Sequence, residues 1–591
     1  MAAAITRVFD LLKFSLEQPQ QEFINGKIAG KWVNYSTEEF CDAVDNLSRG
    51  LINQGIGKGG RVAVMSHNRP EWNIADFAAN QIGAYQIPLY PTLADHDIQF
   101  ILKDAEVALI FVADEDLYNK VKPNIAAVNP EIKIYSFSEV AGAQNWKTLV
   151  DDGKASTQIN LDDYRENVTP EDILTLIYTS GTTGTPKGVM LTHNNLVANF
   201  ENSAVVMPEG VKKGLSFLPL SHIFERMIIY LYLFNRTSVY YAESMETIVA
   251  DIQHVKPNSF STVPRLLEKV YDKIMEKGKA LTGLKRGIFF WSVSLAEKYA
   301  TDAGSWYNFK LNIARKLVFK KWQEALGGEI VVIVSGGAAL NPRLARIFWA
   351  AGMPVFEGYG LTETSPVITV NHFGGTMFGS VGEVIKGVEV KIAQDGEVLT
   401  RGHQVMKGYY NRPDLTAEAI DKDGWFHTGD IGELVNDRFL RITDRKKEMF
   451  KTAGGKYIAP QMLENKYKES IFIEQIMVLG ENRKFPSALI VPNFETLKTW
   501  AGRKGISFTS NDEIIKNEQV LAKFNEVIEA ASVGLGKWEQ VKRFALLPKE
   551  WSIDGGELTP KLSLKRKVIT EKNNNLIDKI YKDAEDYKAP N

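Results

Sequence analysis

Between positions 36 and 112 the apolar residues change their period repeatedly. Helical spacing over 38–54 gives way to an apolar run at 61–66, helical spacing at 71–82, a run at 85–89, helical spacing at 95–104 and a run at 107–112. Short apolar runs alternating with amphipathic helices predict buried parallel strands joined by crossover helices, an α/β fold. The rhythm returns with the runs 173–178 and 330–334, so the chain up to about 375 reads as one or two doubly wound layers, with two stacked doubly wound layers the expectation. Beyond that point short Gly-punctuated runs at 379–383, 388–392, 396–399 and 438–442 predict a β-rich subdomain over about 376–444. A compact α+β segment follows, with a strand at 475–479 and a helix around 522–531. A chain of 591 residues exceeds the roughly 250–300 at which one core stops growing. The pattern divides it into a large domain, 1–444, and a small C-terminal domain, 445–591.

Composition narrows the function classes more than the fold. A formal net charge of −2 gives no electrostatic case for a nucleic-acid partner. The single cysteine, Cys41, rules out an internal disulfide or a thiolate cluster within one chain and suits a reducing compartment. The N-terminus mixes charge into its apolar residues, unlike a secretory signal. The longest apolar runs, 227–234 and 287–296, fall short of the ~20 residues that span a bilayer. A cytoplasmic protein is expected. Lys285 and Arg286 ahead of Phe289, Phe290 and Trp291 allow peripheral contact with the inner face of a membrane, although a buried amphipathic helix with a solvated basic edge is the first reading.

The strongest chemical signal is Tyr178-Thr179-Ser180-Gly181-Thr182-Thr183-Gly184-Thr185-Pro186-Lys187-Gly188, directly after an apolar run and before a segment opening at Thr192 that reads as helix. Hydroxyls, glycines and a lysine in one run can wrap phosphates with side-chain and backbone donors. It is not a Walker loop, which needs a hydroxyl directly after its lysine, where this chain has Gly188. A solvated Gly/Thr loop is the plain alternative. Gly55, Gly57 and Gly60 satisfy a dinucleotide pattern but follow a helix and precede a strand, the reverse of a Rossmann turn. Neither a Gly-x-Ser-x-Gly elbow nor a His-Glu-x-x-His motif occurs in the chain.

At the 178–188 run the chain resembles the adenylate-forming (AMP-binding) family of acyl-CoA synthetases, firefly luciferases and peptide-synthetase adenylation domains. The resemblance extends through four further segments, from about Thr37 to the C-terminus. It implies that Thr179, Ser180, Gly181, Thr182, Thr183, Gly184 and Lys187 hold the pyrophosphate of ATP, with Thr183 near magnesium. Glu357-Gly358-Tyr359-Gly360-Leu361-Thr362-Glu363-Thr364 matches the family's second core motif. Tyr359 and Gly360 would then face adenine, Thr362 the α-phosphate, and Glu363 would hold Mg2+, a cation that prefers hard oxygen ligands. Asp430, in Trp425-Phe426-His427-Thr428-Gly429-Asp430, would take the ribose hydroxyls. Arg445 would reach ribose or phosphate, and Lys447 would be the hinge between the domains. Gly336 and Gly337, after the run 330–334, would let purine and acyl chain approach the backbone. The segment 216–226 resembles the long-chain fatty-acid subgroup and would place His222 where carboxylate and α-phosphate meet.

One family residue has no counterpart in place. Where the resemblance calls for a catalytic C-terminal lysine the chain has Ser563, and Lys561 and Lys565, two positions to either side, share its face in an extended segment and could substitute. The implied activity is ligation of a long-chain fatty acid to coenzyme A through an acyl-adenylate, using ATP and Mg2+. Lys451 and Lys456 are candidates for the coenzyme A phosphates. A ligase loading acyl carrier protein, or a non-catalytic acyl-adenylate binder, would share the same motifs. Acyl chain length and the choice between monomer and homodimer stay open at this level.

Overall fold

The computed structural model describes residues 5–28, 30–180, 185–552, 555–558 and 564–582. The sequence rhythm is realised closely. Helix Thr37–Asn53 starts at a capping box between Ser36 and Glu39 and buries Phe40, Val44, Leu47 and Leu51, one face at helical spacing. Strands Arg61–Met65, Tyr85–Leu89 and Leu109–Val112 pair in parallel, with helices Pro70–Asn80 and Asp95–Asp104 as crossovers.

Two large sheets result. The smaller has eight strands and runs in parallel from Ile173–Ser180 through Tyr85–Leu89 and Arg61–Met65 to Leu109–Val112 and beyond. The larger has thirteen, with a parallel half running from Val355–Gly360 through Val332–Ser335, Ser259–Thr262, Lys213–Ser216 and Ser238–Tyr241 to Ile24–Ile28. Its other half is antiparallel and begins at Val367–Val370. The expected β-rich region is therefore continuous with the large sheet through this strand. One apolar cluster takes side chains from both sheets and from helices Pro70–Asn80, His193–Ala204 and Ile223–Phe234, so these helices fill the space between the sheets. Two further clusters cover the outer faces. The C-terminal domain has a three-stranded sheet, Ile473–Leu479, Ser487–Pro492 and Arg543–Leu546, and its own clusters.

The helix expected to open at Thr192 is His193–Ala204, capped by Thr192; ahead of it Pro186–Thr192 is an unforeseen strand, antiparallel to Ile173–Ser180. One local expectation is corrected: in 379–383 only Glu383 is in a strand, Glu383–Val384. Gly382 there has φ +91° and a Cβ would lie 2.0 Å from the Val370 carbonyl carbon, so the chain turns instead of extending.

The layer between the sheets holds a wholly buried ion pair. Arg226 Nη2 sits 2.5 Å from Asp76 Oδ1, both side chains have no exposure, and the guanidinium also donates to Thr175 Oγ1 at 2.8 Å and to the Tyr230 hydroxyl at 2.8 Å. The Tyr230 hydroxyl donates in turn to Asp76 Oδ2. Removing one partner of such a pair strands a buried charge. Arg226→Met is expected to destabilise the large domain by about 3–5 kcal/mol, read as an earlier first transition in urea unfolding. An unshifted midpoint would show that the pair contributes no net stability.

Candidate functional site

A cleft of about 680 Å³ opens at the carboxyl ends of strands from both sheets. Gly358, Tyr359 and Gly360 close strand Val355–Gly360, Gly336 and Gly337 follow Val332–Ser335, and Thr179 lies at the end of Ile173–Ser180. Open α/β sheets bind ligands outside the carboxyl ends of their strands. Here the parallel half of the large sheet gives way to the antiparallel half at Val355–Gly360 itself. Gly360 is required: a Cβ there would lie 1.7 Å from the Pro366 carbonyl oxygen.

One end of the cleft is polar. The Tyr359 hydroxyl donates to Asp430 Oδ2 at 2.7 Å, and Arg445 Nε lies 3.4 Å from Oδ1 of the same carboxylate. Burial pushes the Asp430 carboxyl up, against the pull of the Arg445 guanidinium. Burial and the facing carboxylate hold the Tyr359 hydroxyl well above its ordinary range, so it stays a donor. Tyr359 and Arg445 line the cleft and Asp430 stands behind them. Thr362 and Glu363 line it too, on a 3-10 turn after strand Val355–Gly360. Glu363 Oε1 accepts from the Tyr409 hydroxyl at 2.9 Å, and the Lys187 ammonium lies 5.1 Å from the Tyr409 ring centroid. Tyr409 belongs to a two-residue strand on the edge of Pro186–Thr192, so Lys187 and Glu363 are held through one aromatic ring.

The other end is apolar. Phe224, Met227, Ile228 and Leu231 form one face of helix Ile223–Phe234 and meet Val206 and Met207 across the cleft. His222 caps this helix: its Nδ1 accepts from the Phe224 N–H at 3.1 Å, which assigns the ring proton to Nε2, and the ring stands where apolar and polar ends join. Two buried carboxyls, Glu225 and Glu357, lie close by. Burial pushes Glu225 up to about 7, moderated by the Ser216 and Ser261 hydroxyls. In the floor beneath Gly358, burial pushes Glu357 up to about 8 although the Leu340 N–H donates to Oε1 at 2.9 Å.

Of the expected site residues, Thr179, His222, Gly336, Gly337, Tyr359, Gly360, Thr362, Glu363, Arg445 and Lys565 come together on the cleft. Lys565 belongs to the C-terminal domain, and its neighbour Arg566 is clamped by Glu464 at 2.7 Å and Glu448 at 2.9 Å. Gly181, Thr182, Thr183, Gly184, Lys561 and Ser563 lie outside the described residues, and only the backbone of Ser180 is described. Lys187, Asp430 and Lys447 are not among the lining residues. The sequence assigned no role to Tyr409, to Glu357 within its motif or to the helix face 224–231; the apolar run 227–234 was the available signal for the last.

Fold and cleft define a nucleotide-type α/β enzyme with a polar end able to orient a sugar and phosphates beside an apolar channel. The chain belongs to the AMP-binding enzyme family, which matches residues 14–410, and residues 448–585 match the AMP-binding enzyme C-terminal domain. It is 33% identical to the long-chain-fatty-acid–CoA ligase FadD15 of Mycobacterium bovis over 574 residues, 96% of this chain and 95% of that protein. It is also 33% identical to human long-chain-fatty-acid–CoA ligase 1, over 93% of this chain and 82% of that one. In fold it is similar to the anthranilate CoA ligase AuaEII in complex with anthranoyl-AMP (TM-score 0.73, 16% identity, 96% and 97% of the two chains). The adenylation domain of a carboxylate reductase from Mycobacterium chelonae is similar too (TM-score 0.73, 21% identity, 97% and 91%).

Burial pushes the Glu357 carboxyl from its ordinary 4.5 up to about 8. A raised carboxyl favours the folded state only while protonated, so its effect is a loss of stability as pH rises from about 4.5 to about 8. Glu357→Gln keeps the acceptor for Leu340 and removes the titration. Its melting temperature relative to the parent should rise between pH 5 and pH 8; a gap independent of pH would mean that Glu357 is ionised throughout.

Proposed function

We propose that this protein converts a long-chain fatty acid to its coenzyme A thioester through an acyl-adenylate, consuming ATP and releasing AMP and pyrophosphate. The observation that carries the reading is the two-ended cleft, with His222 at the join between an apolar helix face and the Tyr359, Thr362, Glu363, Arg445 and Lys565 cluster. In this reading the acyl chain lies along Phe224, Met227, Ile228 and Leu231. Tyr359 and the backbone of Gly336 and Gly337 flank adenine, and Asp430 with Arg445 orients the ribose. Thr179, with the loop through Lys187, holds the departing pyrophosphate.

Among the described residues no group of three or more His, Cys, Asp or Glu could hold a metal by themselves. Glu363, a carboxylate at the polar end of the cleft, fits Mg2+ that arrives on nucleotide phosphates, since this ion commonly takes one or two protein carboxylates and completes its shell with phosphate and water. Bound there it would supply neutralisation of phosphate charge. The chain's own contribution is orientation: the fatty carboxylate is brought in line with the α-phosphorus beside Thr362 and His222. The Lys565 ammonium offsets the charge that grows on the α-phosphate oxygens as the pyrophosphate bond breaks. We further propose that residues 1–444 and 445–591 act as two bodies turning about Lys447, withdrawing Lys565 and admitting the coenzyme A thiol, which attacks the acyl carbon and releases AMP. A cytoplasmic location supplies both ATP and coenzyme A.

The test is pyrophosphate release from MgATP with saturated fatty acids of increasing length, each with and without coenzyme A. Release that requires a long-chain acid, with acyl-CoA accumulating, is expected. Adenylate that is transferred only to a carrier protein would overturn the coenzyme A assignment. Lys565→Ala should slow adenylation on the order of 10²-fold, the usual effect of removing one charge-stabilising donor, while leaving thioester formation from presented acyl-AMP nearly unchanged. If Lys561→Ala shows that pattern instead, the catalytic role belongs to Lys561.

A further inference from the structure

Three helical segments, Gly283–Ala296, Ser305–Ala314 and Lys320–Ala325, the last two joined by a π-helical turn Arg315–Phe319, cover the outer face of the large sheet. Their inner side is ordinary core: Phe289, Val293, Leu311, Ala314 and Val318 are buried in it. The outer side is apolar as well, which the core does not require. Leu284 is 80% exposed, Trp306 70%, Phe309 56% and Leu317 53%, with Trp291 and Ile313 also exposed. Positions 306, 309 and 313 follow helical spacing, and the π-helical turn carries the line on to Leu317. Trp306 and Phe309 stack on each other at the surface, their centroids 5.5 Å apart. Large exposed apolar groups gathered on one face mark an interaction site.

The charge around them says which kind. Residues 284–321 carry eight lysines and arginines against two acids, Glu297 and Asp302, in a chain whose net charge is −2. Glu297 is already tied to Arg343 at 2.6 Å. Basic groups lie beside the rings: the Lys310 ammonium is 5.6 Å from the Trp306 centroid and the Arg286 guanidinium 5.5 Å from that of Phe290. Aromatic and aliphatic side chains on a helix flanked by long basic ones is the make-up of a surface that lies in a membrane interface, where the stems enter the headgroup region and the charges meet anionic lipid. Among the described residues no helix is long and apolar enough to cross a membrane. We propose that this face docks the enzyme on an anionic lipid bilayer, with Trp306, Phe309 and Leu317 inserted at headgroup depth and Lys285, Arg286 and Lys316 on the lipid charge. If the fatty-acid reading is also right, docking brings the cleft to the phase in which a long acyl chain is stored.

The experiment is sedimentation of the full chain with vesicles of phosphatidylcholine alone and of an equal mixture of phosphatidylcholine and phosphatidylglycerol. Binding is expected to the mixed vesicles, weaker to the neutral ones, and weakened by salt. A triple variant, Trp306→Ser, Phe309→Ser and Leu317→Ser, should bind about tenfold less or weaker, and so should Lys285→Glu, Arg286→Glu and Lys316→Glu. None of these residues lines the cleft, so pyrophosphate release with a dissolved medium-chain acid should equal the parent's and certify the fold. No binding of the parent to mixed vesicles, or parent-like binding by both variants, would overturn the proposal. So would a parent dimer that the apolar triple turns into a monomer while vesicles bind nothing, since the face would then join two copies. Absence of ligase activity in a parent that still binds vesicles would count against the functional reading alone.

Discussion

The buried contact between Arg226 and Asp76 fixes the helix on which the cleft depends. A charge with no exposure is tolerated only with its partner in place, so helix Ile223–Phe234 can take one position against helix Pro70–Asn80 and against Thr175 of the smaller sheet. The preceding residue, Glu225, turns about a quarter of the way round the helix and accepts from Ser261 of the larger sheet. Two consecutive residues thus pin one helix to both sheets. What remains free to face the cleft is the apolar line from Phe224 to Leu231, with His222 at its start. Polarity buried at the back of the helix is the condition for a well-placed apolar wall at its front.

Legibility followed the reach of the signal. Strands buried on both faces write continuous apolar runs, and 85–89 and 95–104 were readable to the residue because turn chemistry bounds them. Strand Pro186–Thr192 was not, because it begins with Pro186, Lys187 and Gly188, and its place is set by pairing with Ile173–Ser180. Tyr409 sits in a strand of two residues whose only meaning is its partner, Val189. The site behaves the same way. Motif residues that share a short segment, such as Tyr359, Thr362 and Glu363, could be read together. The hydrogen bond that joins Tyr359 to Asp430 spans 71 positions and no local pattern announces it.

The buried carboxyls near the cleft show how a binding site strains its scaffold. Glu357 and Glu225 both sit where water is excluded and both are pushed towards neutrality. Each supports a neighbour: Glu357 accepts from the Leu340 N–H, holding the turn after Gly337, and Glu225 holds the helix that carries His222. A neutral acid serves such roles with less penalty than a charged one, and position separates both from Glu363, which lines the cleft and is placed to meet a cation.

The proposed hinge is where ion pairing changes sides. Arg445 faces Asp430, and Lys446 faces Asp395 at 2.7 Å and Glu397 at 2.8 Å, so the residues just before Lys447 are paired to the large domain. One residue beyond Lys447, Glu448 faces Arg566 of the C-terminal domain, which also holds Glu464. A turn about Lys447 would leave the first set intact and carry Glu448, Arg566 and the adjoining Lys565 as one unit, so that withdrawing Lys565 needs no pair within either set to break. The contacts that cross would have to yield: Arg265 with Glu474, and the Asp444 carboxylate with the Gln461 N–H at 2.9 Å. Burial pushes Asp444 up to about 6 and burial with the Glu474 charge pushes Asp272 up to about 6 at the same seam. Ionisation of these carboxyls near neutrality would add negative charge to a seam that already holds the Arg265–Glu474 pair.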